Sequence, residues 1–573
     1  MNTAILPRAL LPVLVLAAVA LFLLNGAVNG GRYDQQLLAM AGVWALVVLG
    51  YQFSFGHAGA LNLAQGAFFG VGAYTSAILA RSYGLDFAVT LPAAVALSAA
   101  LGVAVALPVL RLKSHYFALA TLAVAQLAYL GAVNWQGLTG GANGLPGVPG
   151  LRVFGFGLSG AGQLVLVWGL VAAAALFAAR LTRGRLGLAF TVSRETPLAA
   201  GTIGISVGRL RLAALGLGAA YAGAAGALQV HILRVVSPEV LHFSVLVTCL
   251  TMTVIGGRVS VAGGIAAALL LTHLPEWFRG FESYYLVANG GVLLAVVLFA
   301  PAGLMGLLEI FAKPWATPMP KPAKVVSRET DSQPVFRDAV LLDMEPLTKS
   351  YGGVRALDGA GIAVARGEIL GLIGPNGSGK TTLANLVTGL DRADAGRIWI
   401  SGAEITRWPA HRIARAHVAR SFQTPDLPAR LTVLDAVAAG ADAALARARA
   451  MAAMTLDKVG YDGDRTTFCG DLPHGLRRLV ELARALVTGP EVIILDEPAA
   501  GLSPREADAL AGVLTGLAKE GRGLVIIDHN IDFLLPVCHR LVCLDRGRVI
   551  ADGDPREVAR EARVAAAYFG EAV

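Results

Sequence analysis

Ten almost wholly apolar stretches, each close to twenty residues, follow one another through the first three hundred positions. They fall at 9–26, 35–55, 62–80, 87–110, 116–134, 162–180, 209–231, 241–257, 260–276 and 284–308. About 20 apolar residues in a helix cross the ~30 Å hydrocarbon layer of a membrane. The pattern therefore predicts a polytopic α-helical membrane domain over residues 1–310, with about ten spans. One stretch interrupts it: residues 54–70 carry Gly, His, Asn and Gln among the apolar positions. That composition predicts a broken or re-entrant helix buried in protein, where freed backbone groups find partners. The run from Ala9 to about Asn25, behind Arg8, has the form of a signal-peptide core. Because further apolar segments follow at once, it reads as a retained first span.

After residue 310 the pattern changes twice. Residues 311–340 contain Pro314, Pro318, Pro320, Pro322 and Pro334, which deny both helix and strand their hydrogen bonds, so this stretch reads as a linker. From 341 to 573, short β-branched runs alternate with helical stretches, as in EILGLIG before KTTLANLVTGL and EVIILDEP before PREADALAGVLTGLA. Such alternation predicts an α/β domain with a mainly parallel sheet. The predicted fold class is thus multi-domain, a helical membrane half followed by an α/β half.

Charge adds an orientation. The net charge of +8 lies wholly in residues 1–310, which hold fifteen Lys and Arg against seven Asp and Glu; the remainder balances. A basic excess confined to an apolar half reads as membrane topology rather than as a nucleic-acid face, so no nucleic-acid partner is expected. With Arg8 inside and ten crossings, Arg8, Arg111, Lys113, Arg180, Arg183, Arg185, Arg194, Arg209, Arg211 and Arg258 fall on the cytoplasmic side. Arg32, Arg81, Arg152, Arg234 and Arg279 fall outside, a bias that obeys the positive-inside rule. The four cysteines, Cys249, Cys469, Cys538 and Cys543, have no paired spacing and read as small buried hydrophobes in a reducing compartment.

The candidate chemistry lies in the second half. Gly374, Gly379, Lys380 and Thr381 satisfy the phosphate-clamp pattern G-x-x-x-x-G-K-[ST] directly after the apolar strand EILGLI and at the start of a helix. Within Gly374, Pro375, Asn376, Gly377, Ser378, Gly379, Lys380, Thr381 and Thr382, glycines let backbone N–H groups converge on phosphate oxygens. Lys380 would reach the β and γ phosphates, and the Thr381 hydroxyl would hold Mg²⁺. In VIILDEP, Asp496 ends a buried strand and suits the metal's water shell, while Glu497 is placed to polarise an attacking water. Alone, Asp-Glu-Pro is as readily a capped turn.

With these motifs in place, residues 341–570 resemble the ATPase domain of ABC transporters. The resemblance implies ATP as substrate and assigns roles by position. Tyr351 in KSYGGVRALDG matches the aromatic that stacks on adenine, and Gln423 in ARSFQTPDL matches the Q-loop residue that touches Mg²⁺ and the membrane domain. His529 in VIIDHN matches the switch histidine at the γ-phosphate. The signature segment departs from the family: Leu472, Pro473, His474, Gly475 and Leu476 stand where most members read Leu-Ser-Gly-Gly-Gln. The resemblance turns this segment toward a partner's ATP, so Leu476 would face that nucleotide. Ser503 stands where many members carry the D-loop aspartate.

The membrane half resembles the permease of branched-chain amino-acid ABC importers over residues 40–310, through GHAGALNLAQGAFFGVGAYTSAILA, LPVLRLKSHYFALATLA, LTGGANGLPGVPG and HILRVVSPEVL. In RETPLAAGTIGIS, Arg194, Glu195, Ala199, Ala200, Gly204 and Ile205 match the loop by which importer permeases dock on their ATPase. Small residues such as Gly66, Gly70, Gly218, Ala222 and Gly226 permit close helix contact, the ordinary packing of a polytopic bundle. The resemblance implies a fused permease and ATPase of a bacterial inner-membrane importer, its ATPase domain cytoplasmic. The expected substrates are branched-chain or related small amino acids; urea, short amides or aromatic acids are alternatives within the family. Expected partners are membrane lipid, a second permease, a second ATPase and an extracytoplasmic substrate-binding protein, with a homodimer as alternative. Two other classes remain: an ABC exporter half, disfavoured by ten spans and short loops, and a non-transporting nucleotide-gated module. Lys380 and Glu497 together favour turnover over the latter.

Overall fold

The computed structural model describes residues 10–110, 114–277, 290, 291, 294, 298, 299, 303–310 and 339–569. The proline-rich stretch 311–338, most of the predicted span 284–308, and Arg8, Arg111, Lys113 and Arg279 lie outside the described residues. The chain divides into two compact units. One holds the described residues up to Arg183 and from Gly208 to Ile310; the other joins Gly184–Val207 to the described residues from 339 onward.

In the first unit the helices are α1 (Leu11–Asn29), α2 (Arg32–Tyr51), α3 (Gln65–Tyr83), α4 (Phe87–Val109), α5 (Ser114–Asn134) and α6 (Ala161–Arg183). Two short helices of the second unit intervene, α7 (Arg185–Glu195) and α8 (Pro197–Thr202). The first unit resumes with α9 (Val207–Leu233), α10 (Phe243–Gly256) and α11 (Val261–Trp277). Nine of the ten predicted stretches thus coincide with helices.

The described residues do not confirm the count of ten spans. Among the described residues six helices, not ten, have the length and hydropathy to cross a membrane alone: α1, α2 with its continuation to His57, α4, α5, α6 and α9. The reasons are local. Helix α10 has 14 residues, or about 21 Å at ~1.5 Å per residue, and α11 has 17. Helix α3 has the length but carries Gln65, Tyr74, Ser76 and Arg81.

Burial separates inner from outer helices. The most apolar window of α2 is 83% buried and that of α9 is 72% buried, whereas that of α1 is only 6% buried. Helices α2 and α9 therefore form the protein-filled centre, and α1 presents apolar side chains outward as lipid requires. Small residues make the centre close-packed. A Cβ added at Gly72 of α3 would lie 2.4 Å from the Cα of Gly223 in α9, and one at Gly226 would lie 2.1 Å from the Phe69 carbonyl oxygen. Gly72→Leu is expected to force these backbones apart at about 1–3 kcal/mol or more, read as a lower unfolding midpoint of the detergent-solubilised chain.

The polar interruption is a broken, buried helix. After α2 the chain makes a π-helical turn, Gln52–His57, and stays non-helical until Gln65. The polar side chains of this stretch supply the partners that the broken backbone and its neighbours need. Gln52 Nε2 donates to the carbonyls of Gly257 (3.0 Å) and Ser260 (2.8 Å), and Gln65 Nε2 donates to Gly218 O (3.1 Å). The Ala64 N–H is held by Asn62 Oδ1 at 2.9 Å and the Leu63 N–H by Thr121 Oγ1 at 3.0 Å. Irregular backbone at membrane depth survives only with such partners.

The second unit is built on a six-stranded sheet of β1 (Ile369–Ile373), β2 (Val418–Arg420), β3 (Val492–Asp496), β4 (Gly523–Ile527), β5 (Arg540–Asp545) and β6 (Arg548–Gly553). Its order is β2-β3-β4-β1-β5-β6, parallel except for the β5–β6 hairpin. Helices α12 (Lys380–Val387), α13 (Val433–Ala438), α14 (Leu445–Lys458), α15 (His474–Leu486) and α16 (Pro504–Lys519) complete the frame. Strands β1, β3 and β4 are buried on both faces and read as continuous apolar runs for that reason. Alternate residues feed two cores: Ile493, Leu495, Leu524 and Ile526 pack with α13 to α16, while Val492, Ile494, Val525 and Ile527 pack with α12 and a four-stranded antiparallel sheet. All four cysteines are buried and unpaired.

Candidate functional site

Sheet order gathers the candidate residues. Strands β3, β4 and β1 are adjacent and parallel, so their carboxyl ends lie side by side. The phosphate-clamp loop follows β1, Asp496 ends β3 with Glu497 just after it, and Asp528 and His529 follow β4. A crevice at the carboxyl ends of parallel strands is where such sheets bind ligands.

The loop itself is shaped by its glycines. Gly374, Gly377 and Gly379 have φ of 146°, 81° and 107°, a region costly for other residues. A Cβ at Gly374 would also meet the Leu544 carbonyl oxygen at 2.1 Å. Ser378 is buried, whereas Asn376, Gly377 and Thr381 are exposed, and Gly379 caps the amino end of α12. Lys380 Nζ donates to the carbonyls of Gly374 (2.7 Å) and Pro375 (2.8 Å), bracing the loop across its own mouth. Burial pulls the Lys380 ammonium below its usual range, against the opposing attraction of Asp496 and Glu497. Tyr351, at the end of the strand Leu347–Tyr351, is exposed; its hydroxyl bonds Asp391, its ring lies 5.2 Å from Lys349 Nζ, and Thr382 also reaches it.

On the acidic side, burial raises the Asp496 carboxyl, an effect offset in part by Arg420, whose Nη2 lies 3.4 Å away. Glu497 has φ 47°, and its N–H is fixed to Ile527 O at 2.7 Å. A non-glycine residue held there costs about 1–3 kcal/mol, strain that concentrates at functional sites. Its carboxylate lies 3.6 Å from His529 Nδ1, which is also 3.8 Å from the Asp528 carboxylate. The arrangement brings a cation, an exposed imidazole and two carboxylates to one glycine-rich loop. Metal coordination suits Thr381, exposed at the mouth, and Asp496, whose buried carboxyl would gain from a cation; Gln423 is exposed on its loop.

The comparisons bear on both halves. Residues 35–301 match the family described as branched-chain amino acid transport system / permease component, and residues 357–500 match the family described as ABC transporter. A lipopolysaccharide export system ATP-binding protein, LptB, of Haemophilus influenzae is 35% identical over 235 residues, 40% of this chain and 98% of that one. The high-affinity branched-chain amino acid transport ATP-binding protein BraF of Pseudomonas aeruginosa is 32% identical over 251 residues, again 40% of this chain and 98% of that one. The probable branched-chain amino acid transport ATP-binding protein LivG of Methanocaldococcus jannaschii is 32% identical over 259 residues, 41% of this chain and 100% of that one. The chain belongs to the ABC transporter family. It carries a permease domain and an ABC ATPase on one polypeptide.

In this ABC transporter the signature segment opens α15. Leu472 is buried and Pro473 and His474 are exposed, with the His474 ring near Gly501. Leu476, expected to face a partner's nucleotide, is half-buried against the core of its own domain. Ser503 caps α16: its Oγ accepts from the Glu506 N–H while Glu506 accepts from the Ser503 N–H, at 2.8 Å. A serine is well suited to that cap.

The loop of Arg194, Glu195, Ala199, Ala200, Gly204 and Ile205 belongs to the same unit as the ATPase. Ala199 and Ala200 are fully buried in α8. Glu195 Oε2 accepts from the Arg430 N–H at 3.2 Å, and Arg185 pairs with Asp442 at 2.6 Å. The Asp426 carboxylate faces the Ala199 N–H. Gly204, at φ 85°, lies against Arg415, and Gly201 against Ala410. Sequence reasoning missed Arg420, Asp528 and Asp426, and also Arg478, Glu481 and Arg484 on α15. The spacing of the last three along one helix was the available signal.

Proposed function

We propose that this chain is the fused permease and ATPase subunit of an importer of branched-chain or related small amino acids in the bacterial inner membrane, its ATPase domain in the cytosol. The observation that carries the reading is the match of residues 35–301 to a branched-chain amino acid permease, on the same chain as an ABC ATPase. The names of BraF and LivG point the same way. LptB, whose name denotes export, is similar to the ATPase half alone, so it does not decide direction. A second permease, a second ATPase and an extracytoplasmic binding protein complete the assembly on this reading, unless two copies of the chain pair.

The residue roles follow from position. Lys380 and the loop N–H groups bind the β and γ phosphates, and Tyr351 stacks on adenine. Thr381, Gln423 and Asp496 would hold Mg²⁺, which neutralises phosphate charge when bound. Glu497 orients and polarises the attacking water, and His529 contacts the γ-phosphate. Leu472, Pro473, His474, Gly475 and Leu476 complete the partner's site. Closure then pulls on Arg194 to Ile205, and the permease alternates between its two faces.

The test is leucine uptake into proteoliposomes holding the chain, its partners and the binding protein. Uptake that needs ATP on the ATPase side and is competed by isoleucine and valine is expected. ATP-driven efflux, or competition by urea alone, contradicts the direction or the substrate.

A further inference from the structure

Helix α15 carries three buried charges on one face: Arg478, Glu481 and Arg484 are 7%, 1% and 1% exposed. All three grip the same loop. Arg478 donates to the carbonyls of Phe422 (2.8 Å) and Gln423 (2.5 Å). Glu481 Oε1 accepts from the Phe422 N–H at 2.9 Å, and the Asp426 N–H also points to that carboxylate. Arg484 Nη1 donates to Asp426 O at 2.7 Å. The loop passes the grip onward: the Asp426 side chain faces the Ala199 N–H of α8, and the Arg430 N–H, four residues on, donates to Glu195 Oε2 at 3.2 Å.

Buried charges are costly, and apolar side chains of similar size commonly stabilise as well or better. What the charges add is direction: they tie α15 to Phe422, Gln423 and Asp426 of one loop. Apolar packing would let the same surfaces slide. We propose that Arg478, Glu481 and Arg484 are positioning residues that relay movement of the signature end of α15, through Asp426, to the helix α8 that couples the ATPase to the permease. The relay rests on the proposed reading that the signature meets a partner's nucleotide and that α8 transmits the result. It names the side chains that carry that motion, none of which touches nucleotide.

The test is hydrogen exchange at residues 197–202 of the full-length chain, with its partners in nanodiscs, with and without magnesium AMP-PNP. The wild type is expected to change its exchange on binding. Asp426→Ala, which cuts the last link, and Glu481→Gln, which uncouples the two guanidinium groups, should bind the nucleotide as well yet lose at least about fivefold of that change, the lower range of allosteric couplings. Asp442→Ala removes an exposed ion pair of the same coupling segment outside the relay and should respond like the wild type. Should Glu481→Gln lose nucleotide binding, Asp426→Ala decides alone. A normal response in Asp426→Ala, or an equal loss in Asp442→Ala, overturns the relay. A wild type that binds AMP-PNP without any change at 197–202 overturns the coupling reading itself.

Discussion

Glu497→Gln should slow ATP hydrolysis by about 10²–10⁴-fold, the usual worth of a positioned general base, while leaving ATP binding close to normal. The amide has the volume of the carboxylate, so the strained backbone at φ 47° and its bond to Ile527 O can persist. What is lost is the negative oxygen that, on the proposed reading, polarises water beside His529. Lys380→Ala should behave differently. It removes the brace to Gly374 O and Pro375 O as well as the cation, so nucleotide affinity falls along with turnover. Nucleotide binding and steady-state phosphate release, measured on both variants, separate the two roles. Equal affinity losses in the two would contradict the assignment.

The second large effect concerns coupling. Ala199→Glu should abolish transport while basal hydrolysis continues. Ala199 is fully buried and its N–H faces the Asp426 carboxylate, which burial already holds above its usual range. A second carboxylate there is desolvated and meets a like charge, at a cost of several kcal/mol. At ~1.4 kcal/mol per decade this disfavours the docked state by about a hundredfold or more. The clamp, Glu497 and His529 lie on other segments of the domain and keep their geometry. Uptake and hydrolysis measured in one preparation would show the split; a parallel fall of both would place Ala199 in general folding rather than in coupling.

Much of this architecture is legible in the sequence because it depends on local pattern. Strands β1, β3 and β4 are buried on both faces, so they stand out as unbroken apolar runs, and EILGLI followed by the glycine-rich loop marks its own strand, turn and helix. The broken helix after α2 was legible for a similar reason: Asn62 and Gln65 inside an apolar run need partners that a clean span does not offer. The span number was not legible. Apolar composition marks α10 as buried, but a short helix within a bundle is as apolar as one that crosses alone. Nor could Leu476 be placed, since a half-buried position on α15 depends on what packs over it. The link from Glu481 through Asp426 to Ala199 joins segments more than two hundred residues apart in the chain, and one sequence holds no sign of such pairing.

The most direct test of the central claim, that hydrolysis at Glu497 drives passage through the attached permease, is the initial rate of leucine uptake by the reconstituted assembly carrying Glu497→Gln, compared with the wild type at saturating ATP. The account predicts that uptake falls with hydrolysis by about two orders of magnitude or more. Uptake at the wild-type rate without hydrolysis would contradict it.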